Sequence, residues 1–161
     1  MELIVKSEKH GEKIILIDDE DYNLIKNHTW RVGKYGKNFY VITTIFKNKK
    51  PKTIRMHRMI TKAPKGKIVD HKNHNTLDNR KENLRICEHK NNMHNSRRQV
   101  NCTSKYKGVY YNKWQNTYTC QIKLNGKSMH LGNFESEIDA ALVYNGAAKC
   151  LHGEFAYLNN I

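Results

Sequence analysis

The most constraining stretch of this chain is Val69-Asp70-His71-Lys72-Asn73-His74-Asn75-Thr76-Leu77-Asp78-Asn79-Arg80-Lys81-Glu82-Asn83-Leu84-Arg85, followed closely by Asn91-Asn92-Met93-His94-Asn95. Residues 67–70 form a short apolar run that reads as a strand, the residues to Asn83 are polar enough to require a loop, and residues 84–86 return as a second strand. A helix over residues 88–97 follows. Asn, Asp and Lys fill any solvated loop. Asp70 beside His71, with asparagines placed to swing back toward them, adds something further: oxygen ligands for a hard divalent cation and an imidazole that takes a proton near neutral pH. These groups suit hydrolysis.

Asn83 lies twelve residues after His71 and Asn92 nine after that, with His57-Arg58 upstream. In this order and spacing, residues 53–97 resemble the His-Asn-His (HNH) nuclease motif of phage and intron homing endonucleases. The resemblance implies a ββα-metal fold in which Asp70 and Asn92 hold one Mg²⁺ (or Mn²⁺) per active site. His71 would be the general base, and Asn83 would orient either His71 or the loop. Arg58, Lys72, Arg80, Arg85, Arg97 and Arg98 would clamp neighbouring phosphates, contacts that position DNA without reading its sequence. His74 stands where such nucleases often have Gly. His57, His74, His89 and His94 lie near enough in sequence to join the site, although a histidine on a basic surface more often only hydrogen-bonds.

Composition narrows the partner. The 161 residues carry a formal net charge of +14, far more than solubility requires, which points to a polyanion bound with release of counterions. The charge is uneven: residues 52–99 hold 13 Lys and Arg against 4 Asp and Glu, a net +9, against +3 before them and +2 after. The basic region therefore coincides with the Asp-His motif. No apolar run approaches the ~20 residues of a membrane span, and the first residues lack the order of a signal peptide. A soluble, cytoplasmic protein is expected. Cys87, Cys102, Cys120 and Cys150 are widely spaced, with no Cys-x-x-Cys pair, and read as reduced thiols used mostly in packing.

The fold class expected is α+β. Residues 1–52 form a small α+β scaffold: a β-branched run at 13–17, an acidic N-cap and first turn at 18–21, a short helix to about Asn27, a hairpin whose turn spans 33–38, and a third strand at 52–55 after a basic turn at 47–51. One or two helical turns over 56–61 carry His57 and Arg58 and stop at 63–66. The scaffold leads into the nuclease core at 53–98, and residues 99–103 read as a linker.

A second domain occupies 104–161. Strands at 108–111, 117–124 and 128–134, with Asn125-Gly126 as a hairpin turn, precede a helix opened by Ser136-Glu137-Ile138-Asp139. Ile138, Ala141, Leu142, Ala148 and Leu151 mark one face of that helix, which ends at Gly153. The expected result is a three-stranded antiparallel sheet packed on one helix. Tyr106-Lys107-Gly108-Val109, the aromatic-rich strand, Leu131-Gly132-Asn133-Phe134, Ala140-Ala141, Tyr144, Ala147 and Leu158-Asn159 resemble the DNA-binding domain of plant ethylene-response factors, the Apetala-two type. That family reads the major groove with its sheet face. The matching positions here are Lys107, Tyr110, Trp114, Tyr118, Gln121, Lys123, Lys127 and His130.

Together the two resemblances imply a metal-dependent, site-specific endonuclease of the homing type, acting on double-stranded DNA as a monomer or weak dimer, with no membrane or small-molecule partner. One catalytic set per chain makes nicking, or cutting as a pair, the physical default. A catalytically inactive DNA-binding regulator on the same fold is the alternative. Charge alone also admits an RNA-binding protein, which a preference for structured RNA over duplex DNA would reveal.

Overall fold

The computed structural model describes residues 1–98 and 102–161. Most of the expected linker at 99–103 therefore lies outside the described residues. The chain divides into two compact units, Met1–His89 and Lys90–Ile161. Among the described residues no helix is long and apolar enough to cross a membrane.

The first unit begins with a strand absent from the sequence reading. β1 (Glu2–Val5) pairs antiparallel with β2 (Lys13–Leu16). A 3₁₀ turn, Asp19–Asp21, leads into the four-residue helix α1 (Tyr22–Ile25). Asp18 does not cap this helix through its side chain, contrary to expectation. Its carboxylate instead accepts the Lys81 backbone N–H at 2.7 Å, and the Lys81 ammonium pairs with Glu20 at 2.5 Å and Asp21 at 3.2 Å. The acidic turn thus grips the polar loop rather than stabilising its own helix.

β3 (Arg31–Tyr35), β4 (Asn38–Lys47) and β5 (Lys50–Arg55) form an antiparallel meander. Both of its turns are tighter than expected. Tyr35 pairs with Asn38, leaving Gly36 and Lys37 as the first turn; Lys47 pairs with Lys50, leaving Asn48 and Lys49, both at positive φ, as the second. Pro51 is accommodated because β5 is an edge strand.

Helix α2 (Met56–Thr61) ends at Lys62 in the left-handed conformation. β6 (Ile68–His71) and β7 (Leu84–Cys87) then pair antiparallel, with helix α3 (His89–His94) following. The expected order of strand, loop, strand and helix is present, though α3 is shorter than residues 88–97. Ile15, Ile17, Ile25, Val41, Met56, Ile60, Val69 and Leu84 make one buried core beneath α2 and β6.

In the second unit β8 (Val109–Asn112), β9 (Thr117–Leu124) and β10 (Lys127–Phe134) form a sheet of order β10-β9-β8, all antiparallel. Asn125 and Gly126, both at positive φ, close the β9–β10 hairpin. Helix α4 (Glu137–His152) starts at Ser136, whose hydroxyl accepts the Asp139 N–H at 3.3 Å, and ends at Gly153.

The packed face of α4 includes Ala141 and Ala148, as expected, but differs at the other positions. Ala140, Ala141, Tyr144 and Ala148 are buried, whereas Ile138, Leu142 and Leu151 are exposed. Small residues let the helix approach the sheet closely. A Cβ on Gly108 would stand 2.1 Å from the Tyr144 ring and 2.6 Å from the Gln121 carbonyl. Of the cysteines, Cys87 and Cys120 are buried packing residues, whereas Cys102 and Cys150 are exposed.

Candidate active site

β6 delivers Asp70 and His71 at its end, both buried. In register, Asp70 faces Arg85 on β7. The Arg85 guanidinium donates through Nε at 2.9 Å and Nη2 at 2.7 Å to Asp70 Oδ2, and the two side chains are 9% and 8% exposed. Arg85 is therefore not a surface phosphate clamp. Cross-strand pairing inside a buried sheet requires a partner for the carboxylate, and Arg85 is that partner.

His71 meets His57 of α2 edge to face, with ring centroids 5.0 Å apart, and Tyr40 of β4 flanks both rings at 5.7 and 6.3 Å. Burial, with smaller contributions from His71, Arg55 and Arg58, pushes the His57 pKa down to about 3. Burial also lowers His71, opposed by a side-chain hydrogen bond with Asn79 and by the nearby Asp70 and Asp78 carboxylates. His57 is neutral at neutral pH, and the lowered pKa of His71 favours its neutral form, the form that accepts a proton.

The intervening loop is tied to itself. Asn83 Oδ1 accepts the Asn73 N–H at 3.0 Å and Asn83 Nδ2 donates to the Asp78 carbonyl at 2.8 Å. Of the two roles open for Asn83, these bonds are those of a loop organiser. The Asp78 carboxylate accepts from Asn73 Nδ2 and from both Nε and Nη2 of Arg80, and the Arg80 hydrogen bond leads the causes that hold its pKa below the usual carboxylate range. The loop is also pinned to β2: Leu16 N–H donates to Leu77 O at 3.0 Å and Asn79 N–H to Leu16 O at 2.7 Å. His74 has φ +61 and its N–H reaches His71 O at 3.0 Å. A left-handed residue at a tight turn explains why glycine suits this position in similar nucleases.

Three of the six expected clamp residues are thus held within the protein. Besides Arg85, Arg80 is bonded to Asp78 and paired with Glu82. Arg58 donates to the carbonyls of Lys67, Ala63 and Pro64, closing the turn after α2. Guanidinium groups satisfy several acceptors at once, which suits them to such structural ties. Lys72, Arg97 and Arg98 are exposed. Asn92 lies on α3, half-buried, in the second unit; His89 is exposed and His94 half-buried. Asn79, only 1% exposed and donating through Nδ2 to the Leu77 carbonyl at 3.2 Å, was not singled out from the sequence as a site residue. Its adjacency to Asp78 inside the motif was the available signal.

In the second unit, strand parity sorts the expected DNA-reading residues. Val109, Cys120 and Ile122 point to the core, so Tyr110, Gln121 and Lys123 point the other way, and His130 stands beside Gln121 on β10. All four are exposed. Trp114, in the β8–β9 turn, is 98% exposed. Tyr118 departs from this group: it shares the parity of Cys120 and packs against the core beside Tyr111. Lys127 is exposed but pairs with Leu124, whose parity is that of the core side. Lys107 also departs, because its ammonium is bonded to the carbonyls of His94 and Ser96 at 2.6 and 2.7 Å and burial lowers its pKa to about 8.

A family model described as HNH endonuclease matches residues 61–94, the segment from the end of α2 to the end of α3. The chain is also 32% identical over 148 residues to an uncharacterized HNH endonuclease of Acanthamoeba polyphaga mimivirus, covering 88% of this chain and 72% of that protein. No solved structure matches. The matched segment holds Asp70, His71, Asn79 and Asn83, so the buried constellation and the similarity coincide, and the chain belongs to the HNH endonuclease family: it is a nuclease hydrolase.

Proposed function

We propose that this nuclease is a divalent-metal-dependent, site-specific DNA endonuclease of the homing type, with His71 as general base and its C-terminal unit as the reader of sequence. The single observation that carries the catalytic half is a buried His71, its pKa lowered by that burial, next to Asp70 and edge to face with His57. Phosphodiester hydrolysis needs an activated water, stabilisation of a charge-rich transition state and relief of the departing oxygen. His71 takes the proton of the water. Asn83 and Asp78 hold the loop that follows His71.

Asp70 and Asn92 would hold the ion, which when bound supplies charge stabilisation to the phosphate and the leaving oxygen. Their donor chemistry fits: a carboxylate and an amide oxygen suit a hard cation that keeps several waters. Among the described residues no group of three or more His, Cys, Asp or Glu side chains is arranged to hold a metal ion, and Asp70 and Asn92 are the two protein ligands that the resemblance implies. Arg85 fixes the Asp70 carboxylate in one orientation.

For recognition, Tyr110, Gln121, Lys123 and His130 form an exposed donor, acceptor and aromatic face. The likeness to ethylene-response-factor domains supports its assignment to duplex DNA. The exposed Lys72, Arg97 and Arg98 add positioning contacts to phosphate.

Incubation of the protein with supercoiled plasmid and Mg²⁺ or Mn²⁺ tests the reading. Conversion to nicked or linear DNA, abolished by chelation, is expected; plasmid left intact under all metal conditions would overturn it. Mapping the ends cut from a random library tests site specificity. Ends clustered at one sequence are expected, and ends scattered without preference would reduce the reading to a non-specific nuclease.

A further inference from the structure

Helix α3 carries Asn91 and Asn92, ends the matched family segment, and has only six residues. A helix of that length is not stable by itself in water. Its C-terminal end, which belongs to the second unit, is bonded there to residues of that same unit. Lys107 Nζ donates to the carbonyl of His94, the last residue of α3 and a terminal acceptor, and to that of Ser96 just beyond it. The His152 ring, from the last turn of α4, stacks on His94 with centroids 3.8 Å apart and planes 18° apart.

Lys107 is itself fixed from the other side. Its N–H donates to Asn159 Oδ1 at 2.7 Å, and Asn159 Nδ2 donates to the Lys107 carbonyl at 3.1 Å. Asn159 is in turn bonded in both directions to Asn145 of α4, at 2.7 and 2.9 Å. The Tyr157 ring lies 5.3 Å from the ammonium. A continuous set of bonds therefore runs from α4 through Asn145, Asn159 and Lys107 to the end of α3. Burying an ammonium is costly, and a lysine that served only to touch phosphate would have no use for this arrangement.

We propose that Lys107 and His152 are positioning residues of the nuclease reaction: they hold the last turn of α3, and so the orientation of Asn92, from within the C-terminal unit. The proposal rests on the reading of Asn92 as a metal ligand. It gives the C-terminal unit a second duty besides recognition, since the segment that closes the nuclease motif is ordered by residues 107 and 152.

The test uses the full chain and the variants Lys107→Met, Lys107→Arg and His152→Ala, with Lys149→Met as a charge-matched control. Three quantities are read: hydrogen exchange of residues 89–96 without metal, the Mg²⁺ concentration giving half-maximal cleavage, and duplex affinity without metal. In Lys107→Met, amides near 93–96 should lose protection while β8–β10 keep theirs. The Mg²⁺ requirement should rise roughly tenfold, the low end of what losing a supporting residue behind a metal ligand costs. Duplex affinity should match the wild type, Lys107→Arg should restore most of the loss because it retains donors for both carbonyls, and Lys149→Met should behave as wild type.

Unchanged exchange and an unchanged Mg²⁺ requirement in Lys107→Met would overturn the proposal, as would a cleavage loss that merely follows a loss of duplex affinity. If Lys107→Met also loses protection in the sheet, His152→Ala decides by the same criteria. A wild type that cuts no DNA overturns the metal-dependent reading and this proposal with it, whereas a cleaving wild type with an unaffected Lys107→Met overturns this proposal alone.

Discussion

The polar residues of the loop between β6 and β7 and those on the outward face of the C-terminal sheet solve opposite problems. Asp78 and Asn79 are 1% exposed, and Asn83 and His71, the last residue of β6, 5%. Asp78, Asn79 and Asn83 are each hydrogen-bonded to a neighbour, and the His71 imidazole packs against the His57 and Tyr40 rings in a dry setting. On the sheet, Tyr110, Gln121, Lys123 and His130 are exposed and Trp114 is almost fully so. Buried, mutually bonded polar groups are expensive to assemble and cannot adapt, which suits chemistry that requires fixed geometry. Exposed groups on a rigid strand cost little and can bond an incoming partner. The same residue types thus suit two different purposes, and burial separates them.

Acid should strain the first region most. His57 has its pKa lowered to about 3 in the folded chain, whereas the unfolded chain takes up its proton near pH 6.5. Between those values the unfolded state binds more protons, so stability falls with falling pH, by up to roughly 1.4 kcal/mol per pH unit, and levels off below about pH 3. Urea unfolding from pH 7 to 4 measures this. Replacing His57 with a neutral residue of similar size should flatten the slope, and an unchanged slope would show that His57 is not the buried neutral group described.

The sheet should break most severely at Gly108, where φ is +77 and a Cβ would meet Tyr144 and the Gln121 carbonyl. Gly108→Ala should cost about 3 kcal/mol from overpacking and left-handed strain, read as a lowered thermal midpoint. Smaller effects come from the outward face. If it reads DNA, Gln121→Ala and Lys123→Ala should each erode discrimination between target and variant duplexes by about 1–3 kcal/mol, with the rate on saturating DNA preserved. Lys149→Ala, on the exposed side of α4, should change discrimination by less than about 0.5 kcal/mol. Equal losses at all three positions would mean that net charge, not that face, selects the site.

The strand ends bearing Asp70 and His71 were legible because the polar run between two apolar anchors admits little else. The Ser136 cap and the Asn125-Gly126 turn were legible for the same reason: their signals are local. The packed face of α4 was legible only at Ala141 and Ala148. Hydropathy weights Ile138, Leu142 and Leu151, but a sheet approached as closely as Gly108 allows selects Ala140, Ala141 and Ala148. The roles of Arg58, Arg85 and Lys107 were hidden because a positive charge is visible in sequence while its acceptor is not. Arg85 finds Asp70 fifteen positions away across a strand pair, and Lys107 finds the carbonyls of His94 and Ser96. Tyr118 was misplaced because which face a residue takes depends on strand parity, and parity is fixed only by the register with β8 and β10.

The central claim, that the buried loop performs the chemistry and the exposed sheet face does not, is tested most directly by His71→Ala in the full-length protein, with cleavage rate and duplex affinity measured on the same DNA. Loss of a general base should lower the rate by about 10²- to 10⁴-fold while affinity stays at the wild-type value. Cleavage at the wild-type rate, or a rate loss no larger than an accompanying loss of affinity, would contradict the account.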